Sequence, residues 1–189
     1  VLEQSTLALP DGAGLMLAAR WLGRPLRGRA PGVDVILALA PRAAEMGLSL
    51  FLLGGADGVA EEAAAQLLRA APGLRIVGTH GGSPAADEER EIVALVRRAR
   101  PDVLLVAYGA PQQDLWVARN LARLGVPLAM GIGGSLDYIS GRVVRAPTSW
   151  RRLGLEWLYR LFRQPWRWRR MLALPRFALC VLVSRLQGG

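Results

Sequence analysis

Leu50-Phe51-Leu52-Leu53-Gly54-Gly55, then Ala56-Asp57-Gly58, then the Ala-, Leu- and Glu-rich run from Val59 to Ala71 that Pro72-Gly73 stops, is the stretch that decides the fold. A short apolar run closed by paired glycines reads as a strand buried on both faces, and the longer run after it reads as a helix. Strand, glycine turn and helix form the repeating unit of a parallel α/β sheet, and the chain repeats it outward from here. Leu74 to Gly78 is a second expected strand. Asp87 to Ala99 is a helix with acids in its first turn and arginines in its last, as the helix dipole favours. Asp102 to Ala107 follows as a third strand, with the turn Tyr108-Gly109-Ala110-Pro111 and a helix from Gln112 to Leu124. Pro127 to Met130 is a fourth strand opening into Gly131-Ile132-Gly133-Gly134. Upstream, Asp34 to Met46 is apolar enough for either element. We read it as a helix capped by Asp34, with Pro41 a local distortion. Leu15 to Leu22 also reads as helical, entered from Asp11-Gly12-Ala13-Gly14.

The chain has 189 residues, 52% hydrophobic and 21% charged, which suits one domain of ordinary size with a real core and excludes disorder. All 24 basic residues are arginine, so a P-loop NTPase, which needs its lysine, is excluded. Up to Gly141 there are 13 Arg against 14 acids, whereas the remaining 48 residues hold 11 Arg and one acid, Glu156. The formal charge of +9 therefore belongs to the tail, along with Trp150, Trp157, Trp166 and Trp168. A nearly neutral body with a basic, aromatic tail calls for an anionic partner. Cys180 and His80 are single, which excludes an intrachain disulfide and a His/Cys metal cluster. No apolar run reaches the roughly 18 residues of a spanning helix, the best candidate, Met171 to Val183, being broken by Pro175 and Arg176. The first residues also lack the basic-then-apolar pattern of a signal peptide.

In the tail, Trp150, Leu153, Trp157, Leu158, Leu161 and Phe162 recur at helical spacing. They predict one amphipathic helix from Trp150 to Phe162, with Arg152, Glu156, Tyr159, Arg160 and Arg163 opposite. Pro147 and the hydroxyls of Thr148 and Ser149 supply its start, and Pro165 its end. A second segment, Trp166 to Leu174, alternates Trp and Arg before turning apolar.

In an open α/β sheet the ligand sits at the carboxyl ends of the strands, where glycine turns admit phosphates to backbone amides. Gly54-Gly55, Tyr108-Gly109-Ala110-Pro111 and Gly131-Ile132-Gly133-Gly134 together outline a nucleotide pocket, although each alone also fits a merely structural turn. No dinucleotide GxGxxG follows the first strand, and no DxD pair is present to hold a metal on a diphosphate. If the substrate is a sugar nucleotide, arginines and helix dipoles must carry the leaving-group charge.

These residues resemble one family closely. Phe51-Leu52-Leu53-Gly54-Gly55, Arg100-Pro101-Asp102, Gly109-Ala110-Pro111-Gln112-Gln113-Asp114-Leu115-Trp116 and Gly131-Ile132-Gly133-Gly134-Ser135-Leu136-Asp137 are similar, in order, to the WecG/TagA/CpsF glycosyltransferases. So are Gly141-Arg142-Val143-Val144-Arg145-Ala146-Pro147 and Leu155-Glu156-Trp157-Leu158-Tyr159-Arg160-Leu161, so that the likeness runs from about Leu7 to Phe177. The resemblance implies a Rossmann-like bacterial enzyme that moves a sugar, N-acetylmannosamine in the best-known members, from a UDP donor to a polyprenyl-diphosphate-linked acceptor. It also implies inversion at the anomeric carbon with no metal and no other cofactor.

The resemblance carries roles to particular residues. Asp11 matches the carboxylate that deprotonates the acceptor hydroxyl, the alternative being a cap on the helix that starts near Gly14. Arg29 matches a site arginine that faces a phosphate or sugar oxygen, the alternative being an exposed loop arginine. Gln113 matches a glutamine that hydrogen-bonds donor or acceptor sugar, or is a surface helix residue, and Asp137 orients a ligand hydroxyl or caps a helix. Substrate binding is expected at Gly54, Gly55, Tyr108, Gly109, Pro111, Gln112, Gly131, Gly133 and Gly134. Where relatives have Lys and Glu beside this glutamine, the chain has Gln112 and Asp114, which removes a cation from the pocket and bears on the donor sugar. Family members also carry a further strand and a polar Thr-x-Asn-like element before the position of Val1, so the chain reads as a domain lacking its first strand.

Arg160, Arg167 and Arg170 fall near one helix face and correspond to tail arginines that close over the family's site. Trp and Arg on opposite faces suit an anionic membrane surface, and the bland alternative is a tail packed on the body with solvated arginines. The expected organisation is a nucleotide-sugar-binding domain over residues 1–141 and a basic, membrane-associating appendage over 142–189, peripheral at the cytoplasmic face of the inner membrane. Nucleic acid is not an expected partner, since no binding motif accompanies the charge. Exposed apolar tail helices leave a homo-oligomer open. A second functional reading is a noncatalytic, membrane-associated sugar-nucleotide-binding remnant or regulator.

Overall fold

The computed structural model describes residues 5–165, 168 and 172–187. Two compact units emerge, one from Gly32–Val144 with the described part of Val1–Ala8, the other from Leu9–Pro31 with Arg145–Gly189.

In the first unit, β1 (Ser49–Gly54), β2 (Arg75–His80), β3 (Val103–Ala107) and β4 (Leu128–Gly131) form one parallel sheet in the order β2-β1-β3-β4. The two central strands are the near-continuous apolar runs, and every residue of β1 is buried. Side chains alternate between the faces. Leu50, Leu52, Val103 and Leu105 pack against α2 (Gly32–Glu45), α3 (Val59–Ala70) and α6 (Ser135–Ile139), through Ile36, Ala40, Val59, Ala63, Leu67 and Leu136. Phe51, Leu53, Leu104 and Val106 face α4 (Glu89–Ala99) and α5 (Gln112–Leu124), through Ile92, Val93, Val96, Trp116 and Leu124. The connection through α3 leads from β1 to one side of the sheet, and those through α4 and α5 lead back and on to the other. Right-handed crossovers then put α3 on one face and α4 and α5 on the opposite one.

The expected α/β class and its four parallel strands are present. Asp34 does not cap α2: the helix begins at Gly32, and Asp34 lies within its first turn. The short helix α6 was not foreseen, because five residues are too few to show a period.

In the second unit, α1 (Ala13–Trp21) is joined by α7 (Thr148–Arg152), α8 (Glu156–Arg163) and α9 (Ala173–Gln187). The helix expected from Trp150 to Phe162 is two helices. Gly154 takes φ +73°, its N–H donates to the Arg151 carbonyl at 3.1 Å, and the Leu155 N–H donates to that of Trp150 at 2.9 Å. This is a Schellman stop, in which glycine supplies the left-handed residue and satisfies carbonyls that would otherwise be orphaned. At the start of α7 no side chain caps the helix, so Thr148 and Ser149 do not act as caps. Most of the expected segment from Trp166 to Leu174 lies outside the described residues. Among the described residues no helix is long and apolar enough to cross a membrane.

Candidate active site

Beside β1, chain connections leave in opposite directions, and this switch point between β1 and β3 is where an open parallel sheet leaves a crevice at its carboxyl edge. Gly54 and Ala107 are register partners there, so the turns after the two strands start side by side. Gly54 has φ +98°, and a Cβ on it would stand 2.9 Å from the Ala107 carbonyl carbon and 3.0 Å from Tyr108 Cδ1. Only glycine fits both the backbone conformation and the space. Tyr108 then packs edge-on against Trp116, with ring centroids 5.8 Å apart. Its hydroxyl and the Trp116 Nε1 are buried with no hydrogen-bond partner among the described residues. Burial first, and the Glu88 carboxylate second, push the Tyr108 phenol far above its usual range, so it stays protonated.

Gln113 is buried in the first turn of α5. Its Oε1 accepts the Gly133 N–H at 2.8 Å, which ties the start of α5 to the turn after β4. The glutamine is therefore not the surface helix residue of the bland reading, and it joins two of the three glycine turns. Gln112, Pro111 and Gly131 are exposed, and Gly109, Gly133 and Gly134 are partly so, which leaves this backbone open to a ligand. Asp137 lies inside α6, whose N-cap is Gly134, so it does not cap that helix. Arg142 donates to both oxygens of Glu62 at 2.7 Å, anchoring the chain just past α6 to α3. Elsewhere on this unit an open cleft of about 400 Å³ is lined by Arg90, Val93, Ala94, Arg97, Arg98 and Arg123; it contains none of these turns.

The second unit holds the remaining expected residues. Asp11 precedes Gly12, which takes the N-cap position of α1. Asp11 is thus one residue outside the N-cap position. Arg29 Nε donates to the Asp11 carbonyl oxygen at 2.9 Å, its Nη1 to the Arg151 carbonyl at 3.4 Å, and its Nη2 to Glu156 Oε2 at 3.5 Å. Arg145 Nε donates to the other oxygen of Glu156 at 3.3 Å. The side chains of Arg29, Arg145 and Glu156 are 23%, 18% and 18% exposed, so this is a half-buried cluster and not a surface ion pair. Arg29 is accordingly not a solvated loop arginine. Arg160 is half-buried and lies four residues after Glu156 on α8, the spacing that puts both on one face. Arg167 and Arg170 lie outside the described residues.

The apolar spacing of the tail puts Glu156 on a polar helix face, and the resemblance assigns no role to it or to Arg145. The available signal was that Glu156 is the one acid of the whole tail. Among the described residues no group of three or more His, Cys, Asp or Glu side chains is placed to hold a metal ion.

A sequence model described as "Glycosyl transferase WecG/TagA/CpsF family" matches residues 1–189. The chain is 35% identical over 182 residues to the N-acetylglucosaminyldiphosphoundecaprenol N-acetyl-beta-D-mannosaminyltransferase of Bacillus spizizenii (strain ATCC 23059 / NRRL B-14472 / W23), covering 96% of this chain and 70% of that protein. It is 37% identical over 183 residues to the protein of the same name from Bacillus subtilis (strain 168), with the same 96% and 70% coverage.

Proposed function

The chain belongs to the WecG/TagA/CpsF glycosyltransferase family, and from that premise we propose that it transfers N-acetylmannosamine or a related hexose from a UDP-sugar to a polyprenyl-diphosphate-linked sugar, for cell-surface polysaccharide synthesis. The activity that the relatives are named for, on N-acetylglucosaminyldiphosphoundecaprenol, supports the acceptor class. In this reading the glycine turns of the first unit receive the nucleotide diphosphate, with backbone amides and the N-terminus of α5 facing its charge. The Asp11 carboxylate takes the proton of the acceptor hydroxyl as its oxygen attacks the anomeric carbon opposite the departing UDP. The carbon–oxygen bond to UDP breaks with its electron pair on the leaving diphosphate, and the anomeric configuration inverts. Guanidinium groups, not a metal, stabilise that leaving charge.

The observation that carries this reading is the family match over residues 1–189, and the hold of Arg29 Nε on the Asp11 backbone carbonyl at 2.9 Å supports the placing of Asp11. One experiment tests it. With EDTA present, wild-type protein should transfer sugar from a UDP donor to the lipid-linked acceptor with inverted configuration. Asp11→Asn should lose this activity and still bind UDP. Turnover by the variant, a retained configuration or a strict divalent-ion requirement would each overturn the corresponding part.

Membrane association is supported by the large apolar side chains that the second unit leaves in solvent. Leu153 and Phe162 are 73% and 69% exposed, Trp157 is exposed, and Phe177 and Leu179 are exposed on α9. With Glu156, Tyr159 and Arg160 partly buried instead, α7 and α8 present an apolar and basic surface suited to anionic lipid. We place the protein at the membrane periphery on the cytoplasmic side.

A further inference from the structure

We propose that Glu156 is a positioning residue for the transfer reaction, holding Arg29 in the orientation from which Arg29 fixes the backbone of Asp11; this rests on the reading of Asp11 as the base. The argument begins with charge. Within Leu9–Pro31 and Arg145–Gly189, the acidic residues are Asp11 and Glu156. Arg29 and Arg145 reach Glu156 from segments far apart in the sequence, one on each carboxylate oxygen, and all three side chains are mostly buried. Two guanidinium groups at such close quarters repel each other when no anion stands between them, and the cost grows as water is excluded. Glu156 is that anion. As the first residue of α8 it also sits where the helix dipole favours a carboxylate.

The distances say how the cluster passes position along. Arg29 grips the Asp11 carbonyl at 2.9 Å but meets Glu156 at 3.5 Å and the Arg151 carbonyl at 3.4 Å, beyond the 2.7–2.9 Å of a tight charge-assisted bond. Glu156 therefore acts through net charge, keeping the guanidinium on the α8 side while Nε stays on Asp11. Asp11 itself is exposed and lies just outside α1, and Arg29 holds its backbone through the carbonyl oxygen, next to the Ala30 N–H that donates to the Pro10 carbonyl at 2.7 Å. Neutralising Glu156 removes the carboxylate that Arg29 and Arg145 share, and the hold of Arg29 on the Asp11 carbonyl loosens. The base is then misplaced, whereas the glycine turns assigned to the nucleotide are unchanged.

The test is a cycle of variants of the whole chain, read by kcat, KM for UDP-sugar, UDP affinity and melting temperature. Glu156→Gln should lower kcat by about 10- to 100-fold, the loss that a small misplacement of a reacting group produces. UDP affinity should not fall. The deciding comparison uses Arg29→Gln as background: if Glu156 acts through Arg29, adding Glu156→Gln there lowers kcat no further. The same fold-loss in both backgrounds, or unimpaired Glu156→Gln, overturns the proposal. So does a joint fall of UDP affinity and melting temperature, which marks a merely structural acid. Wild type and Asp11→Asn run alongside. A wild type without transfer, or a fully active Asp11→Asn, defeats the base reading and this proposal with it. An active wild type, an inactive Asp11→Asn and an unimpaired Glu156→Gln defeat this proposal alone.

Discussion

Gln113 ties two glycine turns together through one side-chain hydrogen bond. Its buried amide oxygen accepts the Gly133 N–H, so two turns that we propose receive the nucleotide are fixed relative to each other. Gln113→Leu keeps the apolar volume and deletes the acceptor, leaving that amide unpaired at a cost of about 1–3 kcal/mol. Urea denaturation should show this loss, and UDP affinity should fall with it. Lost stability with unchanged affinity would assign the bond to folding alone. The type and position of Gln113 were readable from the resemblance, but the partner was not, since Gly133 lies twenty residues downstream across a strand.

Among the elements, β1 and β3 are locked at the edge opposite the glycine turns. Asp102 accepts from the Ser49 N–H at 2.7 Å and the Ser49 hydroxyl at 2.6 Å, while its own N–H donates back to the Ser49 carbonyl at 3.0 Å. This pairing sets the register that brings Gly54 beside Ala107. The Ser49 hydrogen bonds, ahead of the Coulombic influence of Arg75, hold the Asp102 carboxyl below its usual range. A depressed carboxylate stabilises the fold above its unfolded-state value, and that stability is lost as pH falls through the lower folded-state value. Unfolding free energy should therefore decline from about pH 4 downward, near the ordinary carboxylate range. In Asp102→Asn the decline should be shallower. An identical acid profile would show that Asp102 does not titrate with folding. The elements themselves were largely legible because burial on both faces writes a strand as a plain apolar run. The break between α7 and α8 was not, because the apolar spacing runs on across Gly154 and only the hydrogen bonds to Trp150 and Arg151 show the stop.

At the scale of the whole molecule, charge divides with the units. Fourteen of the 24 basic residues fall within Leu9–Pro31 and Arg145–Gly189, against the two acids Asp11 and Glu156. With exposed Trp157 and Phe162, this unit should carry the protein to anionic vesicles in a flotation assay. Replacing both aromatics, Trp157→Glu with Phe162→Glu, should reduce flotation by about tenfold or more, since each buried aromatic contributes about 1.5–3 kcal/mol. Undiminished flotation would refute a membrane role for this surface.

The sequence by itself determined the α/β class, the order of strands and turns, the family and the concentration of arginine in the tail. These follow from short-range apolar pattern, glycine placement and composition, which need no knowledge of what packs on what. Only the tertiary structure decided that Asp11, Arg29, Arg145 and Glu156 share one half-buried cluster, and that Glu156 faces inward while Leu153 and Phe162 face solvent. The physical reason is that helical spacing gives the faces of a helix but not which face is buried. Partial burial of a carboxylate is tolerable only when it is paired, and one of its two guanidinium partners, Arg29, comes from a segment far away in the sequence.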